Sequence, residues 1–451
     1  MPPSPMACYA FILVLLQIFT PISARLIRPV TNNTLVSDGD RPVQLWRVGA
    51  SLQHPSLQHL LLQGLIEKWA DDATSSLVMV REEDVPEVQA ALQEEQVEYN
   101  VAVEDLLSLV AAETEHKMRG RRKREIERMD WNSYHALEDI EGYLGWLNAS
   151  TNGVVQVLSA ATTQEGRPVY VVRVNDRGAT GPKKRIWIEG GIHAREWISP
   201  AATTFILHQV ATNPDWQRTI LPHTEWYFVP VANPDGYAHT FTGGRARLWR
   251  KNRRVNDNAL PDRCNGVDLN RNWDLKWGVG ASQNPCSELY MGEVPFSEAE
   301  TTGLKYFMER VGPLDLFITF HSYGQSVLYP WGWTKDPPKN AKMLHRVGRR
   351  FLEAVQHVSK GQVDYTLGGS GAMLGFASGA TDDWAYGALG AKHAYTIELR
   401  DTGHYGFLLP EAQIGSTVRE TAAGVQCMVT YMINNGVCAR RRRNARNRNN
   451  V

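Results

Sequence analysis

Residues 41–110 alternate strand-like and helix-like hydrophobic patterns. Short runs of apolar and β-branched residues predict strands, and apolar residues spaced three and four apart predict helices. The mixture predicts a small α+β unit with its own core. The predicted strands are Val43–Val48, Ser76–Val80 and Tyr99–Val103, and the predicted helices are Leu57–Trp69 and Val85–Leu92.

A larger pattern runs from Asp130 to about Asn435, where apolar runs alternate with helical stretches. The runs are rich in Val, Ile, Trp, Tyr and Phe, which is typical of buried strands. Strands that alternate with helices predict an α/β fold. The clearest strands are Val169–Val174, Arg185–Ile188 and Trp226–Val229, and the clearest helices are Ala201–Ala211 and Glu298–Val311.

Composition allows a sizeable core and argues against one class of partner. The 451 residues are 43% hydrophobic and 21% charged, which suits one large domain plus a smaller one and excludes global disorder. The formal net charge is zero. A protein that binds nucleic acid usually carries a basic face, so we do not expect nucleic acid as a partner.

The N-terminus predicts a secretory signal peptide at residues 1–24. Ala7–Phe19 is mostly apolar, and Ala24 supplies a small residue before the cut. A membrane anchor is the alternative, but the apolar run is shorter than the ~20 residues that a spanning helix needs. No later segment predicts a membrane span, so we expect a secreted, extracellular protein.

Two basic segments stand outside the hydrophobic patterns. Arg121–Arg124 lies between the two patterned regions, directly after Gly120, and predicts a protease-sensitive linker that is cut after Arg124. A solvated helix face is the alternative. The tail at 437–451 is rich in Arg and Asn, and we expect it to be disordered, with polyanion binding as the alternative.

The cysteines suggest one local cross-link. Cys264 and Cys286 flank a loop rich in Gly, Asn and Ser, as a disulfide would in an oxidising compartment. Zinc is the competing use, although no Cys-x-x-Cys pair is present. Cys427 and Cys438 stay unassigned, because the helix-like stretch Ser416–Ile433 would hold them beyond the ~7 Å Cα limit for a disulfide unless the chain folds back.

The segment GGIHAREWIS, residues 190–199, contains the first candidate site. A predicted strand precedes it, and Ser199 followed by Pro200 predicts a helix start with Ser199 as the N-cap. His193 and Glu196 are therefore expected in a loop at the end of a strand, where α/β proteins place their sites. A His-x-x-Glu pair is weak evidence alone, because chance pairs are common.

Two later residues strengthen the case for a metal site. His321 ends an apolar strand that begins at Leu316, and two histidines with one glutamate are a ligand set of zinc peptidases. Glu398 follows Tyr395-Thr396-Ile397 within an apolar strand, where a carboxylate is costly unless it has a partner or a role. It is a candidate general base beside the metal. Pairing with Arg400 is the alternative.

Several long motifs resemble, in order, those of the pancreatic-type zinc carboxypeptidases, the A/B group. They are GGIHAREWISP, RLWRKNRR, GVDLNRNWD, FHSYGQSVLYPWGW and ELRDTGHYGFLLP, and the resemblance covers residues 129–435. It implies a mixed β-sheet with helices on both faces and one Zn²⁺ per chain at the C-terminal edge of the sheet. The small N-terminal unit resembles the propeptide of the same enzymes.

The resemblance implies a domain layout and a set of partners. The layout is a signal peptide (1–24), an activation propeptide with the basic cleavage linker (25–124), a catalytic domain (125–436) and the basic tail (437–451). The implied substrates are the C-termini of peptides and proteins. The propeptide would act as an intramolecular inhibitor, and a second protease would activate the enzyme.

The family motifs also imply roles for individual residues around the metal. Asp268 matches the position that orients a zinc-bound histidine, and Cys264 and Cys286 coincide with the family disulfide. The residues implied to act at the metal are the ligands His193, Glu196 and His321, the general base Glu398, and Arg250, which stabilises the carbonyl oxygen as it becomes an oxyanion.

A second group of residues is implied to bind the substrate. Asn270 and Arg271 match the pair that grips the terminal carboxylate, which a planar guanidinium can hold through two parallel hydrogen bonds. Arg247 matches an arginine at the entrance of the site. Ser322 and Tyr323 are also expected to line it.

Four positions bear on which terminal residue is removed. Gly375 stands where the family commonly has a tyrosine that closes over the substrate, so a weakened relative that only binds peptide C-termini is one alternative. Asp382 matches the pocket floor of the basic-preferring branch, and its carboxylate could pair with Lys or Arg. Ser370 leaves room for a long side chain, whereas Gly332 matches the aromatic-preferring branch. We expect a preference for C-terminal Lys or Arg, with an apolar or aromatic preference as the alternative.

Overall fold

The computed structural model describes residues 41–71, 74–120, 129–256 and 260–434, without the side chains of 114–120. The predicted signal peptide (1–24), the predicted cut after Arg124, Cys438 and the basic tail (437–451) lie outside the described residues. Within the described part of the chain, no helix is long and apolar enough to cross a membrane.

Residues 43–120 form the N-terminal unit, an antiparallel sheet with helices, which confirms the predicted α+β character. Its elements are β1 (Val43–Val48), α1 (Pro55–Gln63), β2 (Glu67–Asp71), β3 (Ser76–Arg81), α2 (Val85–Glu94), β4 (Tyr99–Val103) and α3 (Leu106–Gly120). The strands pair in the order β2–β3–β1–β4. Trp46 of β1, Leu57 of α1 and Val88 of α2 share one buried core.

The predicted helix Leu57–Trp69 is too long, because Gly64 ends it. The helix α1 stops at Gln63, and Gly64 takes a left-handed conformation with φ of 76°, which favours glycine. A side chain would not fit there, since a Cβ would lie 2.4 Å from the carbonyl oxygen of Cys286. The chain turns at this point, and Trp69 lies in the edge strand β2 instead of in a helix.

The large unit is built on one mixed sheet. Its elements are α4 (Leu137–Ser150), β5 (Val155–Thr162), β6 (Pro168–Asn175), β7 (Lys184–Glu189), α5 (Ile198–Thr212), α6 (Pro214–Thr219), β8 (Thr224–Val229), α7 (Pro234–Thr240), α8 (Ala299–Val311), β9 (Leu316–Ser322), β10 (Ser326–Tyr329), α9 (Ala341–Val358), β11 (Thr366–Gly369), α10 (Ser370–Met373), α11 (Thr381–Gly387), β12 (Ala394–Leu399) and α12 (Glu411–Asn434). The eight strands that the structure describes here run in the order β11–β10–β12–β9–β7–β8–β6–β5. The central strands β12, β9, β7 and β8 are parallel, whereas β5 and β6 pair antiparallel, as do β10 and β12.

The side chains of the central strands divide between two cores, one on each face of the sheet. Ile186 and Ile188 of β7 pack with Leu207 of α5 in the first core. Trp187, which lies between them, packs with Met308 of α8 in the second core. A strand that is covered on both faces has a continuous apolar run. The structure therefore confirms the mixed sheet with helices on both faces.

Helix α5 starts earlier than predicted and has no side-chain cap. It begins at Ile198, so the predicted N-cap role of Ser199 is wrong. The hydroxyl of Ser199 instead donates to the carbonyl oxygen of Glu196 at 2.8 Å and accepts from the N–H of Gly191 at 3.0 Å. This side chain thereby braces the loop that carries the His-x-x-Glu pair.

A disulfide joins Cys264 and Cys286, as the family resemblance implies, and this excludes the competing zinc use of these cysteines. Cys427 in α12 is also disulfide-bonded. The loop after Cys286 reaches the N-terminal unit, where the hydroxyl of Ser287 donates to the carbonyl oxygen of Leu61 at 3.1 Å.

Candidate active site

Three predicted metal ligands come together at one edge of the sheet. His193 and Glu196 lie in the loop between β7 and α5, and His321 lies near the end of β9. The strands β7 and β9 are parallel neighbours, so the segments that follow their carboxyl ends meet at the same edge. The fold thus joins residues that are 128 positions apart in sequence.

The ligand atoms of these residues face one another. Nδ1 of His193 lies 2.8 Å from Oε1 of Glu196, and Nδ1 of His321 lies 3.1 Å from Oε2 of the same carboxylate. The two Nδ1 atoms are 3.1 Å apart, and all three residues are buried. In their metal-binding forms these atoms are all acceptors, so their convergence fits a cation. Two imidazoles and one carboxylate suit Zn²⁺.

Charges around the cluster favour the ionised carboxylate. Burial acts to raise the pKa of Glu196, but His193 and His321 outweigh it and hold this pKa below its ordinary value. The pKa of His193 is lowered, first by burial and then by the nearby Arg250. A neutral imidazole and an ionised carboxylate are the forms that bind a metal.

Asp268 supports the cluster from behind, as the family resemblance implies. One of its oxygens lies 3.1 Å from Nε2 of His193, and the other accepts from Nη2 of Arg250 at 2.9 Å. Burial acts to raise the pKa of Asp268, but Arg250 and His193 hold it well below its usual range. The carboxylate thereby orients both a metal ligand and the arginine beside it.

Glu398 lies next to the cluster on the neighbouring strand β12. It is in register with His321 across the parallel pair β12–β9, and it lines the cleft. Burial raises the pKa of Glu398 to about 7. The alternative that it pairs with Arg400 is wrong, because Arg400 donates to the carboxylate of Glu420 instead, with Nε at 2.8 Å. We call His193, Glu196, His321 and Glu398 the metal end of the cleft.

Asn270, Arg271 and Asp382 form what we call the pocket end of the same cleft, whose volume is about 720 Å³. Nη1 of Arg271 donates to the carbonyl oxygen of Asn270 at 2.8 Å, while its buried Nε has no hydrogen-bond partner among the described residues. Burial lowers the pKa of Arg271 against the opposing effect of Asp268. Oδ1 of Asn270 accepts from the N–H of Thr381 at 3.0 Å.

Asp382 faces the cleft and is only 3% exposed. Burial raises the pKa of Asp382, and this rise is opposed by neutral hydrogen-bond donors, namely the hydroxyl of Thr396 and backbone N–H groups, and by the charge of His321. The next residue, Asp383, accepts from the N–H of Gly332 at 2.9 and 3.0 Å and ties down that turn. Of the two adjacent carboxyls, Asp382 is therefore the one available to a guest in the pocket.

Arg247 does not line the cleft of the uncut chain that the structure describes, and its role at the entrance stays a prediction. Its Nε donates to Glu113 of α3 at 2.8 Å, and its Nη2 donates to the carbonyl oxygen of Phe407 at 2.7 Å. The guanidinium lies 3.6 Å over the ring of Trp197. In the uncut chain Arg247 is buried, and its bond to Glu113 holds α3 against the large unit.

Arg195 lines the cleft and was missed by the sequence analysis. It lies inside the motif HAREW, between His193 and Glu196, so the signal was its position beside two ligands. Its Nη1 donates to Oε2 of Glu67 at 2.8 Å. Because Glu67 belongs to β2, this ion pair joins the N-terminal unit to the cleft.

The other predicted substrate residues lie at the cleft. Ser322 and Tyr323 line it, and the N–H of Ser322 donates to Oε2 of Glu196 at 3.2 Å. The ring of Tyr323 packs 6.2 Å from that of Trp69 in β2. At Gly375, which has φ of 87°, a Cβ would lie 2.6 Å from the side-chain nitrogen of Gln53. The N-terminal unit thus covers both ends of the cleft.

Comparisons with known proteins agree with this geometry. The zinc carboxypeptidase (peptidase M14) profile matches residues 140–424. Carboxypeptidase B of Astacus astacus is 41% identical over 306 residues, which cover 67% of this chain and 98% of that protein. The profile match includes every residue of the metal end.

Two solved structures share the fold over both units. The crystal structure of thrombin-activatable fibrinolysis inhibitor is 31% identical in sequence, with a TM-score of 0.75. The alignment covers 88% of this chain and 100% of that protein's chain. Carboxypeptidase A from Helicoverpa armigera is 26% identical in sequence, with a TM-score of 0.79. The alignment covers 88% of this chain and 99% of that protein's chain.

Proposed function

The chain belongs to the zinc carboxypeptidase family, and we propose that it is a secreted enzyme, made as an inactive precursor, that prefers C-terminal Lys or Arg. Membership of the family establishes hydrolysis of a C-terminal residue as the reaction. The proposal adds the roles of individual residues, the preferred terminal residue and the inhibitory role of the N-terminal unit.

At the metal end, His193, Glu196 and His321 would hold the zinc ion. Zinc bound there supplies Lewis-acid chemistry, polarising the scissile carbonyl and lowering the pKa of water. Glu398 takes a proton from the attacking water and returns it to the leaving amine, so the peptide C–N bond is exchanged for a carboxylate and an amine. Arg250, held by Asp268 at 2.9 Å, offsets the negative charge that develops on the carbonyl oxygen.

At the pocket end, Arg271 and Asn270 would bind the terminal carboxylate of the substrate. The buried Nε of Arg271 is without a partner among the described residues, so the guanidinium retains a donor for a ligand. A charge-assisted bond to a carboxylate is stronger than a neutral one. This recognition would restrict the enzyme to the last residue of a chain.

The observation that carries the proposed preference is the buried carboxyl of Asp382 on the cleft wall. Its hydrogen-bond donors are neutral, so the ammonium of Lys or the guanidinium of Arg could add a charged hydrogen-bond donor. An apolar guest would leave the charge desolvated and unpaired, which is costly. Specificity would then arise partly from the penalty against the wrong residue.

A preference for apolar residues is the second candidate, and the raised pKa of Asp382 is the observation that favours it. A protonated carboxyl tolerates an apolar neighbour better than an ionised one does. Gly332 adds no space at this wall, because a Cβ there would lie 2.4 Å from the carbonyl oxygen of Ala377.

Two peptides that differ only in a terminal Arg or Phe would decide between the candidates. The proposal predicts a higher kcat/KM for the Arg peptide with the chain cut after Arg124. Leaving one partner of a buried charge pair without the other costs about 2–5 kcal/mol, so the ratio should exceed roughly tenfold. A higher kcat/KM for the Phe peptide would reject the preference while leaving the reaction itself intact.

The N-terminal unit would act as the propeptide, with residues 25–124 released from the catalytic domain at 125–436 by a second protease. What supports this is the position of β2, where Glu67 bonds with Arg195 at 2.8 Å and Trp69 packs 5.3 Å from Phe407. A substrate could not reach the cleft lining while β2 lies there. The secreted state would be tested by sequencing the N-terminus of the exported protein, which should begin at Arg25.

A further inference from the structure

The two histidines at the metal end are supported in different ways. Nε2 of His193 lies 3.1 Å from the carboxylate of Asp268. Nε2 of His321 lies instead 3.2 Å from Oγ1 of Thr319, a hydroxyl two residues earlier on β9. A carboxylate strongly favours a protonated nitrogen beside it, whereas a hydroxyl can donate as well as accept. The support of His321 therefore depends on what orients the hydroxyl.

The contact between Oγ1 of Thr319 and Nε2 of His321 leaves the hydroxyl proton of Thr319 in need of a separate acceptor. The Nδ1 of His321 points at the ligand cluster, 3.1 Å from Glu196, so when it binds a metal the proton of the ring is on Nε2. That N–H then donates to Oγ1 of Thr319. Since a hydroxyl has a single proton, Thr319 must direct it away from the imidazole, toward a second acceptor.

Glu189 is positioned to be that acceptor. It is in register with Thr319 across the parallel pair β7–β9, and its exposure is 0%. Oε2 accepts from Nε1 of Trp187 at 3.2 Å, while Oε1 has no hydrogen-bond partner among the described residues. Burial raises the pKa of Glu189 to about 7, and the hydroxyls of Thr319 and Thr381 act in the opposite direction, as nearby donors do.

A purely structural explanation of Glu189 is weak. A carboxyl group that is removed from water costs several kcal/mol unless its oxygens are bonded, and the indole of Trp187 satisfies only one of them. The position lies beneath the metal end, four residues before His193, on the strand that leads into the ligand loop. A costly buried group directly behind a metal site is the usual form of outer support for a ligand.

We propose that Glu189 is a positioning residue that, through the hydroxyl of Thr319, holds the imidazole of His321 with its proton on Nε2 and its Nδ1 toward the metal. The proposal rests on the assignment of His321 as a zinc ligand. Asp268 would thus support His193 directly, whereas Glu189 would support His321 through the hydroxyl of Thr319. Glu189 touches neither substrate nor metal.

The test is the zinc affinity of the full-length chain, measured by competition with a chelator. Replacing Thr319 by Val removes the hydroxyl and keeps the shape, and it should weaken zinc binding by roughly 10–100-fold, as loss of outer support does in other metal sites. Thr319→Ser keeps a hydroxyl and should restore most of the affinity. As a control, Thr421→Val removes a buried hydroxyl that donates to Thr417 at 2.7 Å in α12 and should leave zinc affinity unchanged.

Glu189→Met removes both acceptor oxygens with little change in size, whereas Glu189→Gln would keep an acceptor for Thr319. Glu189→Met therefore separates support through Thr319 from a merely structural role. If Glu189 acts through Thr319, this substitution should weaken zinc binding in the natural chain but have no further effect in the Thr319→Val background, because coupled residues are not additive. An equal effect in both backgrounds, or wild-type zinc affinity in Thr319→Val, would overturn the proposal. If the natural chain itself bound no zinc, the ligand assignment would fail instead, so the two failures are distinguishable.

Discussion

The metal end and the pocket end of the cleft bury charged groups in opposite ways. At the metal end the groups face one another, with Glu196 between two imidazole nitrogens at 2.8 and 3.1 Å. At the pocket end, Arg271 has a buried Nε without a partner among the described residues, and the Asp382 carboxyl has only neutral donors. The first arrangement fits a small cation, and the second fits a larger guest that carries charges of its own.

The two arrangements show how one cleft can separate catalysis from the recognition of the terminal residue. Groups that converge on a point can act on any substrate, because the bond to be broken is the same in all peptides. Buried groups that still have a free hydrogen-bond donor or acceptor can discriminate between substrates. A substrate that does not supply the missing partner leaves such a group desolvated and unpaired. Substitutions at the two ends should therefore change different kinetic quantities.

The largest effect should come from Glu398→Gln at the metal end. The amide keeps the size of the side chain but cannot take a proton from water, so turnover should fall by about 10²–10⁴-fold. The loss should be equal for peptides ending in Arg and in Phe, and zinc content measured by elemental analysis should stay at the wild-type level. Near-normal turnover in this variant would mean that Glu398 is not the base.

A smaller and selective effect should follow from Asp382→Ile at the pocket end. Loss of the carboxylate should lower kcat/KM for the Arg peptide by roughly 10²-fold, because removing one partner of a buried charge pair costs about 2–5 kcal/mol. The Phe peptide should be affected little or should improve. Parallel losses on both peptides would show that Asp382 maintains the fold of the pocket and does not select the guest.

The smallest effect concerns the N-terminal unit, which covers both ends. Glu67→Gln weakens the bond to Arg195, and a hydrogen bond to a charged group contributes about 1.5–3 kcal/mol. The residual activity of the uncut chain should therefore rise by about tenfold. The exposed Glu94 of α2 provides the control, since Glu94→Gln should leave the uncut chain as inactive as before.

Because Glu67 also pairs with Arg81 within the N-terminal unit, thermal unfolding must be compared in the same variants. A rise in activity without a matching fall in Tm would assign the effect to the cleft contact. An uncut Glu67→Gln chain with no added activity would contradict the proposed inhibitory role of this ion pair.

The sequence predicted the metal end well, because strand ends and ligand types are local signals. His321 and Glu398 each stand out as polar residues in apolar strands, and the mixed sheet brings them into register. Boundaries were less accurate. The helix predicted over Leu57–Trp69 missed the stop at Gly64, which has φ of 76° and lies where a Cβ would be 2.4 Å from the carbonyl oxygen of Cys286.

Contacts between the two units could not be predicted in the same way. Arg195 and Glu67 are 128 residues apart, and neither belongs to a periodic pattern that indicates a partner. Arg247 also makes contacts that its motif did not indicate, since its donors are taken by Glu113 of the N-terminal unit and by backbone carbonyl groups. Motif resemblance transfers a position, but hydrogen-bond partners depend on what packs against it.

The most direct test of the division between the two ends uses one peptide in two forms, ending in lysine with a free carboxylate or with an amide. Mass spectrometry of each form after incubation with the chain cut after Arg124 reports which bond is broken. We expect loss of a single lysine from the free acid and no cleavage of the amide, because Arg271 and Asn270 require the terminal carboxylate. Cleavage at an internal bond, or equal removal of lysinamide, would contradict the account.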